Sequence, residues 1–186
     1  MLAHYHGQIW NASEFARSFG ISDQSVRRYL DLLTSTFVVR QLQPWHANIK
    51  KRQVKSPKIY LRDTGLLHSL LRIDTQHDLE RHPRLGASWE GFALQNVMEV
   101  LRVDARDCFF WATHGGAELD LLIRNGSRLR GFEFKRSSAP TLTKSMRVAF
   151  EDLGLKSLVV VHAGKHRYPM AKGIEAVPLD QIKELS

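Results

Sequence analysis

Apolar residues recur at helical spacing in the first third of the chain and in short β-like runs further on. Asn11 followed by Glu14 has capping-box spacing, and a helix over residues 12–18 would bury Phe15 and Phe19 before Gly20 breaks it. Ser22 caps a second predicted helix that reaches residue 35. On it Val26, Tyr29, Leu30 and Leu33 share one face, while Gln24, Arg27, Arg28 and Asp31 share the other. Strand-like runs follow at residues 37–42 and 58–61. Between them lies WHANIKKRQVKSP, which carries Lys50, Lys51, Arg52 and Lys55. Asp63 then caps a leucine-rich helix. Two helices and a turn, followed by two strands around a basic excursion, predict an N-terminal winged helix-turn-helix over residues 1–74.

Residues 74–84 are polar without an apolar period and mark the predicted boundary. Beyond it, residues 87–101 form a helix in which Trp89, Phe92, Ala93, Val97, Val100 and Leu101 are spaced for burial. Strand-like runs follow at 108–113, 118–124 and 128–135, then a helix over 141–153, strands at 157–162 and 173–178, and a C-terminal helix. The predicted class is α/β, with residues 75–186 forming an α-β-β-β-α-β domain on a mixed sheet.

Asn125-Gly126 is a strong two-residue hairpin signal. A turn there pairs Arg124 with Ser127, sets Asp120 against Gly131 and sets Glu118 against Glu133. Opposed residues share a face of a sheet. This register therefore sends Glu118, Asp120, Glu133 and Lys135 one way, with Leu119, Leu121, Phe132 and Phe134 on the other side. A ridge of carboxylates with one lysine is electrostatically costly without a cation, and its oxygen ligands suit Mg²⁺ or Mn²⁺. Glu90, set among Trp89, Phe92 and Ala93, is an odd place for an acid that merely meets water.

Composition adds a partner. Apolar residues make up 43% and charged residues 25% of 186 residues, a globular balance that excludes wholesale disorder. The net charge is +8, and residues 1–75 hold 11 basic against 5 acidic side chains. A basic front half suits DNA. Arg27, Arg28, Lys50, Lys51 and Arg52 are the predicted phosphate contacts, and Gln24 and Ser25 the candidates for base edges. No apolar run approaches membrane-helix length, no signal peptide is evident, and the single Cys108 suits a reducing, cytoplasmic compartment. Nine histidines supply no zinc-ligand spacing.

The set Glu90, Asp120 and Glu133-Phe134-Lys135 on an α-β-β-β-α-β frame resembles the PD-(D/E)xK nuclease superfamily. More narrowly, SVRRYLDLL, VKSPKIYLRDTGLL, WEGFALQNV, GAELDLLI and GFEFKRS are similar to the C-terminal region of a large prokaryotic family of AAA-type ATPases. In that family a winged helix and a nuclease-like domain follow the ATPase. The resemblance implies Asp120 and Glu133 as metal ligands, with Glu90 as a further acid. It implies that Lys135 orients water or stabilises charge on the phosphate. No G-x-x-x-x-G-K-[ST] occurs, so no ATP site is expected in this chain: either it is a fragment whose AAA-type ATPase domain, the expected partner, is missing, or this family member has lost that domain. Leu119 stands where the superfamily has proline. Two functions stay open: a metal-dependent nuclease, or a catalytically inactive DNA- or protein-binding module that regulates an attached ATPase. The oligomeric state is also left open.

Overall fold

The computed structural model describes residues 1–185 as a mixed α/β protein in two compact units. The first comprises Met1–Leu42 and Ser56–Gly91; the second comprises Gln43–Lys55 and Phe92–Ser186. Among the described residues no helix is long and apolar enough to cross a membrane.

The first unit begins with a 3₁₀ turn at Leu2–Tyr5 and a two-residue strand, β1 (Gln8–Ile9), then α1 (Ala12–Phe19) and α2 (Asp23–Ser35). Gly20 ends α1 in the left-handed conformation at φ 65°, and the Ser22 side chain caps α2 by accepting from Ser25 N at 3.1 Å. The chain then enters β2 (Val39–Pro44), whose first four residues pair antiparallel with β3 (Lys58–Leu61); β1 lies on the far side of β3. Asp63 caps α3 (Thr64–Leu70) through Leu66 N at 2.6 Å. Tyr5, Trp10, Phe15, Val26, Leu30, Ile59 and Leu67 fill the core.

Three expectations change here. Phe19 and Tyr29, predicted inside, are 57% and 62% exposed, because the helix pair buries only the Phe15, Val26 and Leu30 stripe. The polar stretch after residue 74 is not bare linker: Thr75 caps a short helix, α4 (Gln76–Arg81), through Asp78 N at 3.1 Å. Helix α5 (Leu85–Val100) follows, with Phe92 43% exposed rather than buried.

His6 is the most unusual group in this core. It is 1% exposed, accepts from Leu61 N through Nδ1 at 3.0 Å and meets the Tyr60 ring edge-on. Burial, with His68 and Arg84 adding to it, pushes its pKa down to about 4 from 6.5. A histidine held neutral in the fold binds a proton more readily when unfolded, so stability falls as pH drops through 6.5 towards 4. Between pH 7 and pH 5 the loss from this group is about 2 kcal/mol. Urea midpoints measured across that range in wild type and in His6→Gln check it. The variant should lose most of the pH slope, and an unchanged slope would assign it to other groups.

The second unit is a six-stranded ladder with the end of β2 at its edge. Its strands are β4 (Cys108–Ala112), β5 (Glu118–Asn125), β6 (Arg128–Lys135), β7 (Ser157–His162), β8 (Tyr168–Ala171) and β9 (Ile174–Pro178). Gln43 and Pro44 run parallel to β4; β4, β5 and β6 form an antiparallel meander; β6, β7 and β9 run parallel; β8 closes the other edge antiparallel to β9. Helix α6 (Lys144–Asp152) connects β6 to β7 and lays Met146 and Ala149 on Leu119, Leu122, Leu158 and Val160. Where a further helix was predicted, Leu179–Leu185 is 3₁₀.

The basic excursion predicted as a wing belongs to this second unit. Gln53 holds both main-chain groups of Ala47, at 2.9 and 2.8 Å, and accepts from Trp111 Nε1 at 2.9 Å. Val54 N donates to Ala112 O, His114 N donates to Arg52 O, and Lys51 pairs with Asp152 at 2.7 Å. The segment is thus a strap laid along β4 rather than a free loop.

Candidate active site

Site chemistry depends on where β5 and β6 part. Their ladder runs from Asn125↔Arg128 to Leu121↔Phe132. The turn is therefore Gly126-Ser127, one residue later than predicted, with Gly126 at φ 59°. Gly131 faces Leu122, not Asp120. The space over it is not open: a Cβ there would lie 2.7 Å from Leu155 and 3.2 Å from Leu119.

A β-bulge then changes the faces. Phe109 pairs with Leu122 and Trp111 with Leu119, so Asp120 and Leu121 together stand against the single residue Phe110. Residues on the two sides of a bulge no longer alternate in step. Leu119 accordingly joins Leu122 and Val160 in the core under α6, the side opposite to the one predicted for it. Glu118 goes to the other side, with its main-chain N and O held by Ser145 Oγ at 2.8 and 2.9 Å. It is not part of a ridge with Glu133.

Asp120, at the bulge, is 6% exposed and accepts from Phe134 N at 3.0 Å. That N–H belongs to the peptide joining Glu133 to Phe134. Asp120 is thereby fixed beside Glu133 by main-chain geometry, not by the cross-strand pairing that was predicted. Glu133 is also 6% exposed, and its Oε1 accepts from Lys135 Nζ at 2.7 Å. Lys135 follows at the next same-side position of β6, its side chain 38% exposed. Three of the four predicted catalytic residues, Asp120, Glu133 and Lys135, thus gather in one strand pair.

The fourth, Glu90, lies in the first unit. Its Oε1 accepts from Lys58 Nζ at 3.2 Å and from Tyr60 Oη at 2.5 Å. Sequence reasoning missed both partners. The signal was present: Lys58 is a charged residue opening the buried run KIYL, and it is 4% exposed.

His162, paired with Lys135 across β6 and β7, is fully buried. Gly164 N donates to its Nδ1 at 3.0 Å, and its Nε2 lies 3.1 Å from the His166 carbonyl. This arrangement fixes the neutral Nε2–H tautomer, and burial lowers its pKa. Both ring nitrogens are occupied, so it is no metal ligand.

Among the described residues no three or more His, Cys, Asp or Glu side chains gather as a metal cluster. Two buried carboxylates can serve an ion that asks for fewer protein ligands. Mg²⁺ keeps several waters and takes one or two carboxylates plus substrate phosphates. Asp120 and Glu133 suit that open donor set.

The predicted DNA contacts divide between the units. Gln24, Arg27 and Arg28 are exposed on α2, with Ser25 half-buried at its start; Lys50, Lys51 and Arg52 are exposed on the strap of the second unit.

The comparison that decides the family falls mostly on the second unit: residues 85–182 match a domain of unknown function, DUF4143. The chain belongs to the DUF4143 family. DUF4143 is a domain often found with AAA ATPases. Residues 1–77 match a second domain of unknown function, DUF8612. Two curated relatives, uncharacterized proteins of Mycobacterium tuberculosis and Mycobacterium bovis, are each 53% identical over 182 residues. The match covers 98% of this chain but only 41% of each relative.

Proposed function

We propose that the DUF4143 unit is a divalent-cation-dependent nuclease site acting on DNA. Asp120 and Glu133 would hold Mg²⁺ or Mn²⁺. The observation that carries this reading is the Asp120 carboxylate anchored on the Glu133–Phe134 peptide, with the Lys135 ammonium 2.7 Å from Glu133. Two buried carboxylates and a lysine stand on adjoining strand positions where the strands part, on a meander followed by a helix and a parallel strand. That arrangement supports the PD-(D/E)xK likeness of the sequence. When bound, the cation supplies Lewis acidity and an acidified water. Lys135 reaches from a partly exposed position and can meet charge on a phosphate oxygen.

The first unit supports a DNA-gripping role. Two helices joined by a tight turn precede an antiparallel strand pair, as in winged helices, and α2 exposes Gln24, Arg27 and Arg28. The match covers 41% of each mycobacterial relative. The remainder of those chains leaves room for an AAA-type ATPase, with which this region would act.

The direct test offers branched, single-stranded and duplex DNA with Mn²⁺ and with Mg²⁺. Metal-dependent cutting of at least one substrate is expected, and cutting of none of them overturns the reading. For DNA affinity, the combined Lys50→Ala, Lys51→Ala and Arg52→Ala variant should bind all sequences more weakly. Its salt slope should fall by about 0.9 for each phosphate left without its cation. Lys51 already pairs with Asp152, so Lys50 and Arg52 are expected to carry most of the change. Fluorescence anisotropy at several salt concentrations measures both effects.

One observation favours the second reading, an inactive module that binds a protein. Phe19, Tyr29 and Leu32 are each more than half exposed on the α1–α2 pair, an apolar surface that duplex DNA does not require.

A further inference from the structure

The DUF4143 unit has a concave surface at the hairpin end of the sheet. It is a cleft of about 760 Å³, a volume within the range of small-ligand sites. Leu101 and Val103 supply apolar wall, and Arg124, Arg128, Arg130 and Lys156 bring four cations to it. The two acids of the lining are already occupied. Asp107 is bound by Arg124 at 2.8 Å, and Asp104 by Arg106 at 2.7 Å. Among the described residues none of Arg128, Arg130 and Lys156 is paired with a carboxylate.

Arg130 is the informative member. Its guanidinium stacks over Phe132 at 5.2 Å and gives Nη1 to the Leu185 carbonyl at 2.8 Å. The ring and the carbonyl fix its plane, and other N–H groups of the fork stay available. The charge is half-buried, and burial lowers its pKa. Glu175, the acid that acts on it at longer range, is held by Arg167 at 2.8 Å. Among the described residues this half-buried, oriented guanidinium has no carboxylate partner, and its fork can meet two oxygens of a phosphate. Two exposed cations, Arg128 and Lys156, flank it.

The geometry points to a binding site for a nucleoside phosphate in this cleft, with the phosphate on Arg128, Arg130 and Lys156 and the flat base against Leu101 and Val103. That chemistry has two sources, a free nucleotide or the phosphorylated end of a strand. The site stands apart from the nuclease proposal. Along β6, Arg130 and Phe132 alternate with Gly131 and Glu133, so Arg130 projects from the sheet face opposite to Glu133.

The test is calorimetric titration of the 186-residue chain, without added metal. The probes are ADP, adenosine, inorganic pyrophosphate, a 5′-phosphorylated DNA tetranucleotide and its unphosphorylated counterpart. ADP or the phosphorylated tetranucleotide should bind more tightly than pyrophosphate and adenosine. Arg128→Ala with Lys156→Ala should weaken that binding by about tenfold or more, as removal of charge-assisted hydrogen bonds requires. Both side chains are exposed, so the melting temperature without ligand should stay unchanged. Arg130→Lys, which keeps the charge and loses the fork, should weaken binding as well. Tighter binding of ADP assigns the site to free nucleotides; tighter binding of the phosphorylated strand assigns it to strand ends. The proposal is overturned if no phosphorylated probe binds, if pyrophosphate binds as tightly as ADP, or if affinity survives in the Arg128/Lys156 double variant.

Discussion

Asp120→Asn should slow metal-dependent phosphodiester hydrolysis by about 10²–10³-fold, the usual consequence of removing one electrostatic stabiliser. The asparagine keeps an oxygen for Phe134 N, so the bulge and the strand ends should stay in place. What it removes is the charge. Asp120→Ala removes both charge and acceptor. It leaves the buried Phe134 N–H unpaired, which should add a stability loss of about 1–3 kcal/mol. The pair of variants therefore separates chemistry from scaffolding. If asparagine and alanine lose stability equally and activity is untouched in both, Asp120 is structural and the nuclease reading fails. Glu133→Gln makes the same comparison on the second carboxylate, since its amide oxygen can still accept from Lys135. Lys135→Ala should cost a similar factor in rate while DNA affinity, measured separately, changes little. It also takes a cation from a buried carboxylate, so its melting temperature must be read beside its rate.

The sequence marked which residues matter in this hairpin but not how they meet. Residues 118–123 read Glu-Leu-Asp-Leu-Leu-Ile, and from Leu119 to Ile123 every side chain is buried. A strand covered on both faces loses its polar and apolar alternation, so nothing in the pattern betrays a bulge. Moving the turn from Asn125-Gly126 to Gly126-Ser127 shifts the register by two and preserves the faces. The bulge at Asp120 does not preserve them. It moved Leu119 and Glu118 to opposite sides from those predicted, and it turned a diagonal pair of acids into an acid seated on its neighbour's peptide. In the first unit the caps at Ser22 and Asp63 and the strand at 58–61 were legible because they rest on local chemistry. The exposure of Phe19 and Tyr29 was not, because helical spacing defines a stripe but not how wide a stripe the partner covers. The strap was hidden for a third reason. A run with Lys50, Lys51 and Arg52 reads as a loop by composition, whereas its fixed path comes from one glutamine meeting a tryptophan 58 positions away.

Removing that tryptophan is expected to have the largest effect on stability. Trp111 is fully buried in the core beneath α6, among Leu119, Leu122 and Val160. Trp111→Ala should cost about 3–5 kcal/mol, from forfeited transfer energy and the cavity left behind. Trp111→Phe keeps part of the apolar packing but loses ring volume and the indole N–H to Gln53, so its cost should be smaller than that of the alanine, with the hydrogen bond supplying about 0.5–1.5 kcal/mol of it. The two should also differ from Gln53→Ala in kind. That variant leaves the core filled but releases Ala47 N, Ala47 O and Trp111 Nε1 together. The strap over residues 46–53 should then be cut early by trypsin at Lys50, Lys51 or Arg52, while the urea midpoint moves less than in Trp111→Ala. DNA affinity should fall with the same variant, because three cations held on a fixed path lose less entropy on meeting phosphates than three on a free loop. Unchanged trypsin sensitivity in Gln53→Ala would mean that the main-chain bonds of Val54 and His114 hold the strap without the glutamine, and that its basic residues owe their placement to β4 alone.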